Sequence, residues 1–345
     1  MSIGLKGENL IFLISQPRAG STLLQNILRN HPDIHTTAEP WTMLHPLYAL
    51  RSEGHEAEYN ANWARSANND FLSTLPDGRE SYYESVRRMQ TYLYNCSLEN
   101  TGKKLFLDKT PRYYHIIPDL YRTFPNAYFI ILLRNPLASF CSIINSWVKS
   151  DWLKLCKFRN DLMQAPRLLI EGSKMLSYKN HRIINYEQLL INPEHEIEGV
   201  CEALNVNYFP EMISSKSSDT VPKYGYGYKD QTAVFSKGKI DPENIQKWTL
   251  SLDDPQIWRF FDDYLSILDQ EIVEQMGYSY ANLRAQLDTN RPLYFQLSNT
   301  LPLEWCLQNG SSFEKLTKIY KEKGYKGALA CFIHKIMRTV SFINS

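Results

Sequence analysis

Long apolar stretches are missing from this 345-residue chain. No run reaches the eighteen or more apolar residues typical of a membrane-spanning helix. Residues 1–9 also lack the apolar core of a secretory signal peptide, so we expect a cytoplasmic protein. The chain has 38 lysines and arginines against 37 acidic residues, which gives a net charge of +1. We expect no nucleic-acid partner, because any anion site must be local rather than spread over the surface.

Cysteine is scarce as well. The six cysteines are widely scattered, with neither the Cys-x-x-Cys spacing of a metal site nor the density of a disulfide framework. We expect them to be reduced and buried. Hydrophobic residues make up 43% of the chain, and no repeat or long linker divides it. The chain can therefore bury a large core, which predicts one domain with additions.

The most informative segment is the loop at residues 17–22, Pro-Arg-Ala-Gly-Ser-Thr. It follows the apolar run 10–14, which is typical of a buried strand, and precedes apolar side chains at helical spacing over 22–28. Backbone N–H groups at the start of such a helix are unpaired and lie at the positive end of the helix dipole. The pattern predicts a phosphate-binding loop; the alternative is a glycine-containing turn that binds nothing.

A lysine is missing from this loop. Nucleoside triphosphatases place Lys directly before the Ser or Thr, where it reaches the outer phosphates. Here Gly20 precedes Ser21. This difference argues against triphosphate hydrolysis and favours a loop that holds one 5′-phosphate of a nucleotide.

A second phosphate site is predicted at Arg134. This residue ends the apolar run 128–133 and precedes a helical pattern that continues to Trp147. Ser142 follows eight residues after Arg134, on the second turn of that helix. A planar guanidinium suits a phosphate, and the serine can add a further hydrogen bond to the same anion. Two such sites predict a nucleotide with two separate phosphates.

Strand and helix patterns alternate along the chain, which predicts a parallel sheet with crossover helices on both faces. The predicted strands lie near 10–15, 104–109, 128–134 and 181–186. The predicted helices lie near 21–30, 112–124, 136–148 and 194–204. The insertion 40–103 is expected to be helical, with most of its aromatic residues forming its own core, and 214–240 reads as a loop.

These motifs, in this order, resemble the sulfotransferase superfamily, whose members use 3′-phosphoadenosine 5′-phosphosulfate. The similarity extends to His31-Pro32-Asp33, Lys109-Thr110-Pro111 and Asn185-Tyr186-Glu187, and covers roughly residues 8 to 280. It implies an α/β fold of P-loop-like type, the product adenosine 3′,5′-bisphosphate, and no metal. It also implies a sulfotransferase domain at 1–285, whose insertion covers the acceptor pocket. The remaining residues, 286–345, are expected to form a helical extension, although the tail from Phe313 departs from the family pattern.

Within that superfamily the spacing is more similar to the tyrosylprotein sulfotransferases and their bacterial relatives than to the cytosolic steroid and phenol enzymes. The first group uses a glutamate base after the His-Pro-Asp segment, and Glu39 occupies the matching position. The second group uses a Lys-x-His pattern, which this chain lacks at Lys109. His115 is expected to be structural. Glu39 as a helix cap or ion-pair partner is the alternative reading.

The resemblance implies a role for each motif residue. Glu39 takes the proton of the acceptor, while Lys109 and Arg18 stabilise the sulfuryl and bridging oxygens. The residues assigned to the nucleotide are Arg18, Ala19, Gly20, Ser21, Thr22, Arg134, Ser142, Tyr186, Thr232 and Lys247. Ser236 and Lys237 compete with the last two assignments, and a packing role is the alternative for Tyr186.

The expected acceptor is a hydroxyl, or an amine, of a carbohydrate or a small natural product. Protein tyrosine is less favoured because no secretion signal is present. A nucleotide-dependent kinase or a non-catalytic nucleotide-binding scaffold on the same fold remains the alternative function. The tail from Phe313 carries a net charge of +5 among apolar residues. It predicts a helix that either contacts an anionic membrane or packs on the core with a solvated basic face.

Overall fold

Five parallel strands form one sheet in the computed structural model of the chain. The structure describes residues 2–37, 43–48, 50–51, 61–214, 240–293 and 300–308. The strands are β1 (Leu10–Ser15), β2 (Ile34–Thr36), β3 (Leu105–Lys109), β4 (Tyr128–Leu133) and β5 (His181–Asn185). They lie in the order β2-β3-β1-β4-β5. Three sequence-predicted features lie outside the described residues: Glu39, the segment with Thr232, Ser236 and Lys237, and the basic tail.

Helices connect the strands and cover both faces of the sheet. The first group is α1 (Ser21–Arg29), α2 (Leu44–Tyr48), α3 (Ala61–Ser73), α4 (Arg79–Leu98) and α5 (Ile117–Thr123). The second is α6 (Pro136–Ile143), α7 (Arg159–Met163), α8 (Ala165–Met175), α9 (Tyr186–Ile191) and α10 (Pro193–Ala203). The last is α11 (Glu211–Ser214), α12 (Pro255–Ile267), α13 (Gln270–Gln275) and α14 (Tyr280–Thr289). A final helical stretch covers 303–308.

The strand order fixes where a ligand can bind. β1 is central, between β3 and β4, and the chain leaves it towards β2 and β3 on one side. After β3 the chain crosses over β1 to β4 and continues outwards to β5. The loops that follow β1 and β4 therefore separate from each other at the carboxyl edge of the sheet. Open parallel sheets bind their ligands at such a switch point.

Side chains of β1 alternate between the two faces of the sheet, as expected for a buried strand. Ile11 and Leu13 pack with Leu24 of α1 in one apolar cluster. Phe12 and Ile14 belong to the cluster on the opposite face. Every residue of β1 is buried, so the strand is a rigid base for the loop that follows it.

The predicted fold class is confirmed, with differences in detail. β2 was missed, because three residues are too short for a period-2 pattern, and only its pairing with β3 defines it. The helix predicted at 112–124 is a 3₁₀ turn followed by α5. The helix predicted at 136–148 is α6 followed by a π turn at Ile144–Val148. The division at residue 285 falls within α14, and it stays a prediction.

The described part of the insertion uses several aromatic residues as packing, as expected. Tyr83 is 2% exposed and donates a hydrogen bond to Asp119 at 2.7 Å. Tyr82 donates to the carbonyl oxygen of Pro46 at 2.6 Å. Tyr92 is the contrasting case, because 69% of its surface is exposed.

The cysteines follow the expectation only in part. Cys141, Cys201 and Cys306 are buried, whereas Cys96 is exposed and Cys156 is half-buried. All five are free thiols, and the sixth lies outside the described residues. Within the ranges given above, no helix combines the length and apolar character needed to cross a membrane.

A buried carboxylate lies directly beneath the carboxyl edge of β3. Asp108 is fully buried and accepts hydrogen bonds from the hydroxyls of Tyr94 at 2.8 Å, Tyr113 at 3.0 Å and Thr110 at 3.0 Å. Burial raises the pKa of Asp108 to about 6, although these hydroxyls and the charge of Lys109 favour the ionised form. The group joins α4, β3 and the following 3₁₀ turn.

The raised pKa of Asp108 predicts how stability changes with pH. Between about pH 4 and pH 6 the folded protein binds more protons at this site than the unfolded chain, so this group lowers stability as pH rises. Asp108→Asn removes the titration. Between pH 4 and pH 7, wild type should therefore lose roughly 2–3 kcal/mol of unfolding free energy relative to the variant. Urea unfolding at both pH values, with matching denaturant slopes, measures this difference. A difference that is independent of pH would contradict it.

Candidate functional site

The loop after β1 adopts a backbone conformation that few residues other than glycine accept. Gly20 has φ +99°, and Arg18 has φ +70°. A Cβ at Gly20 would lie 2.3 Å from the ring of Tyr186, so no other side chain fits there without movement. Both the left-handed φ and the close approach require glycine at this position.

The N-terminus of α1 has features that suit an anion. Its N-cap is Gly20, which has no side chain, and its first turn contains no acidic residue. The backbone N–H groups of Leu23 and Leu24 donate back to the Gly20 carbonyl oxygen, at 2.9 and 3.2 Å. The N–H groups at the start of the helix, at Ser21 and Thr22, lie at the positive end of the helix dipole.

Arg134 follows β4 and joins the two predicted phosphate sites. Its Nη1 donates to the carbonyl oxygen of Arg18 at 2.7 Å. Its guanidinium lies over the ring of Tyr186, 4.4 Å from the centroid. Its Nε is buried and has no hydrogen-bond partner among the described residues. A buried guanidinium N–H without a partner is costly unless a ligand supplies an acceptor, so the side chain fits an anion.

The Arg18 side chain contacts α6 and the turn that follows it. Its Nε donates to Ser142 Oγ at 3.0 Å, and its guanidinium lies over the ring of Trp147 at 5.4 Å. The structure therefore brings Arg18, Arg134 and Ser142 together, although they are far apart in sequence. Their roles towards a nucleotide stay predictions.

Tyr186 packs between the two predicted phosphate sites. It is 4% exposed, and its ring contacts Gly20 on the loop and Arg134 after β4. Burial raises the pKa of its phenol, and the carboxylates of Glu187 and Asp241 raise it further. These contacts match the packing alternative, and a contact with a nucleoside stays a prediction.

Lys109 is the last residue of β3 and is 3% exposed. It stands in register with Leu13 of β1, so its backbone is fixed by the sheet. The neighbouring Asp108 faces the hydroxyl cluster described above. Alternation along the strand therefore directs Lys109 to the other face of the sheet.

Glu39 lies outside the described residues, but the chain that leads to it is anchored. Thr36 Oγ1 donates to the carbonyl oxygen of Leu107 at 2.8 Å, which ties β2 to β3. Gln25 of α1 donates to Thr36 Oγ1 at 2.8 Å and to the carbonyl oxygen of Thr37 at 2.6 Å. The carboxyl end of β2 is thereby held at the edge of the sheet that carries Lys109.

His115 ends the 3₁₀ turn Pro111–His115. Burial, together with the positive charge of Arg51, lowers the pKa of this imidazole to about 4. The ring is therefore neutral at neutral pH and is a weak base. The structural role of His115 stays a prediction.

Asp161 is the centre of a group of hydrogen bonds that the sequence did not single out. Arg112 binds Asp161 through two hydrogen bonds, Nε to Oδ1 at 3.1 Å and Nη2 to Oδ2 at 2.6 Å. The Tyr114 hydroxyl donates to Oδ1 of the same carboxylate at 2.8 Å. Gln16, at the end of β1, donates to the Asp161 carbonyl oxygen at 2.7 Å. Asp161 therefore ties α7 to the loops after β1 and β3.

Lys247 lies at the margin of the site. It begins the 3₁₀ turn Lys247–Ser251, and its ammonium donates to Asn244 Oδ1 at 2.5 Å and lies 3.6 Å from Asp241. Its side chain is 56% exposed. Thr232, its predicted companion, lies outside the described residues. Among the residues described, no three His, Cys, Asp or Glu side chains are grouped so that they could hold a metal ion.

Several known proteins are similar to this chain. Over 323 residues the chain is 24% identical to the nodulation protein NoeE of Sinorhizobium fredii (strain NBRC 101917 / NGR234), covering 87% of this chain and 74% of that protein. It is 26% identical over 211 residues to a putative protein-tyrosine sulfotransferase of Caenorhabditis briggsae, covering 60% and 69%. The solved sulfotransferase domain from the curacin biosynthetic pathway matches with a TM-score of 0.47 and 21% identity, covering 78% of this chain and 97% of that one.

The family model described as the sulfotransferase family matches residues 10–211, which is more than half of the chain. The match includes the loop after β1, Lys109 and the segment from Arg134 to Ser142. This chain belongs to the sulfotransferase family.

Proposed function

We propose that the protein transfers a sulfuryl group from 3′-phosphoadenosine 5′-phosphosulfate to a hydroxyl, or an amine, of a carbohydrate or a small natural product. The observation that carries the proposal is the direct contact between two anion-binding elements. The Arg134 guanidinium, after β4, donates to the carbonyl oxygen of Arg18, in the loop after β1. A donor with phosphate groups at both its 3′ and 5′ positions matches this arrangement.

The residues of the switch point fit such a donor. Gly20, Ser21 and Thr22 would hold the 5′-phosphate at the N-terminus of α1, where no side chain caps the helix. Arg134, whose Nε has no partner in the described part of the chain, would hold the 3′-phosphate with Ser142. The bound nucleotide supplies an activated sulfuryl group.

The chain's own groups would do the rest by position and charge. Glu39 accepts the proton of the acceptor hydroxyl. Lys109 and Arg18 stabilise negative charge on the sulfuryl and bridging oxygens, as preorganised donors do at oxyanions. Lys109 is suited to this role because burial and strand pairing fix its position before substrate binds. Lys247 and Thr232 are further candidates for the cofactor, with Ser236 and Lys237 as competitors.

The acceptor would enter where Arg112, Asp161 and His115 meet the insertion. The Caenorhabditis briggsae relative, which is named a putative protein-tyrosine sulfotransferase, makes a tyrosine side chain a second candidate acceptor. A screen with labelled donor against saccharides, phenols, amines and tyrosine peptides separates these classes. A nucleotide-dependent kinase is disfavoured because the loop has Gly20 where a kinase of this type has lysine.

The 3′ site predicts ligand preference. Adenosine 3′,5′-bisphosphate should bind tightly, while AMP and ATP bind weakly, because only the bisphosphate engages Arg134 and Ser142. Arg134→Ala should weaken the bisphosphate by about 10- to 150-fold, the loss expected for one charge-assisted hydrogen bond, and AMP far less. Calorimetry measures the affinity for all three ligands. Ser142→Ala removes a second residue of the same predicted site and should show the same preference. Equal losses for the bisphosphate and AMP would argue against a 3′ site here.

Lys109 should matter more in the transition state than in the ground state. Lys109→Ala should lower kcat about 100-fold or more, which is typical of losing one preorganised donor. Lys104→Ala is the matched control: this lysine lies at the opposite end of β3, is 51% exposed, and pairs with Asp33. It should leave kcat unchanged. Steady-state kinetics with an acceptor from the screen gives both constants. A rise in KM alone would make Lys109 a binding residue.

Glu39 should be the general base. Glu39→Gln preserves shape but cannot accept the proton, so bisphosphate affinity should survive while turnover falls by a factor on the order of 100 to 10,000. His115→Ala should keep most activity, because an imidazole with a pKa near 4 is a weak base at neutral pH. An active Glu39→Gln enzyme together with an inactive His115→Ala enzyme of normal affinity would assign the base to His115.

A further inference from the structure

Arg18 is held by an aromatic side chain that none of the motifs includes. Its guanidinium lies over the ring of Trp147, 5.4 Å from the centroid, which is within the range of a cation–π interaction. Trp147 is half-buried, and its ring stacks on Phe158 with a centroid distance of 5.1 Å and an interplanar angle of 21°. Phe158 is 7% exposed, so the tryptophan rests on the core.

A local change of helix geometry gives Trp147 this position. After α6 the chain forms a π turn at Ile144–Val148, with a hydrogen bond of 2.6 Å from Lys149 N–H to the Ile144 carbonyl oxygen. In a regular α-helix, residues five apart, such as Ser142 and Trp147, would lie about 140° apart around the axis. The wider turn brings both onto Arg18. π turns inserted in α-helices are frequent at functional sites.

The contact between Trp147 and Arg18 also bears on the entropic cost of binding a ligand with an arginine side chain. A long side chain loses rotamer freedom when it is fixed against a ligand. Fixing it beforehand, in the folded protein, removes that cost from binding. Arg18 is held at its backbone by Arg134, at Nε by Ser142, and at its guanidinium face by Trp147. Of these, Ser142 and Arg134 are themselves assigned to the ligand, whereas Trp147 contacts Arg18 without such a role.

We propose that Trp147 is a positioning residue for Arg18, which it holds ready for the 5′-phosphate end of the nucleotide. This inference rests on the proposed function. The Trp147 ring has Phe158 stacked against it and the guanidinium over it, so its aromatic surface is used within the protein. The role requires an aromatic face and not merely apolar volume.

Calorimetry with two nucleotides tests the role without an acceptor. Trp147→Leu should weaken adenosine 3′,5′-bisphosphate about tenfold, within the range for a partly desolvated cation–π contact, and change adenosine 3′-monophosphate less than about twofold. Trp147→Phe should restore most of the affinity. Trp152→Leu is the matched control. Trp152 is also half-buried and packs edge-on against Phe260 at 5.4 Å, so its loss should leave both affinities unchanged.

A double-mutant cycle separates positioning from general packing. In an Arg18→Ala background, Trp147→Leu should cost the bisphosphate less than about a further twofold, because the group it positions is gone. The same tenfold loss in both backgrounds, or an equal loss for both nucleotides, would overturn the proposal. Should Trp147→Leu fail to unfold cooperatively, Trp147→Met, which keeps a long apolar side chain without a ring, runs the same cycle. If the wild-type protein binds neither nucleotide, both the proposed function and this inference are wrong. If the wild type binds normally but the affinity losses of the two substitutions are additive, only the role of Trp147 is wrong.

Discussion

The hydrogen bond from Arg134 to the Arg18 carbonyl oxygen joins the ends of β4 and β1, and the geometry of the site depends on it. The loop after β1 is held in left-handed conformations at Arg18 and Gly20, and such a backbone at a non-glycine residue costs about 1–3 kcal/mol. It persists only where the surroundings fix it. Arg134 fixes the loop through its hydrogen bond to the Arg18 carbonyl oxygen. The buried ring of Tyr186 packs against both Gly20 and Arg134. Arg134 and Tyr186 therefore connect the loop after β1 to the end of β4.

The sequence predicted the features that local patterns encode. Apolar stretches marked β1, β3 and β4, and β5 was predicted as well. The loop at 17–22 and the spacing of Arg134 and Ser142 identified residues that each contact Arg18. Features that depend on contacts between distant segments were not visible. β2 is defined only by its pairing with β3, and the Arg112–Asp161 pair joins residues 49 positions apart. The π turn that presents Trp147 has no residue signature, because it is an adjustment of hydrogen bonding within an apolar helix.

Two buried carboxylates near Lys109 are satisfied in different ways. Asp161 binds a guanidinium, and removing one member of such a pair typically costs about 3–5 kcal/mol, because the other charge is left buried alone. Asp108 accepts hydrogen bonds from three hydroxyl groups, and burial raises its pKa although these hydrogen bonds favour the ionised form. Asp161 connects α7 to the loops after β1 and β3 through an ion pair and hydrogen bonds. Asp108 connects α4 to β3, and its charge can change with pH. Lys109 lies between these two links, and both fix the chain on either side of it.

The attachment of the insertion has a consequence for how acceptor preference can diversify. Its described helices are joined to the sheet layer by tyrosine hydroxyls, with Tyr83 on Asp119 and Tyr94 on Asp108. The hydrogen bonds from Arg134 to Arg18 and from Arg18 to Ser142 connect the chain after β1, β4 and α6, which lie outside the insertion. A chimera could therefore exchange the helices of the insertion and keep these hydrogen bonds, provided that a hydroxyl is retained at position 94. Without that hydroxyl, the buried Asp108 carboxylate would lose a hydrogen-bond donor. The chimera would then be inactive because it is unstable, and not because its reacting groups are wrong.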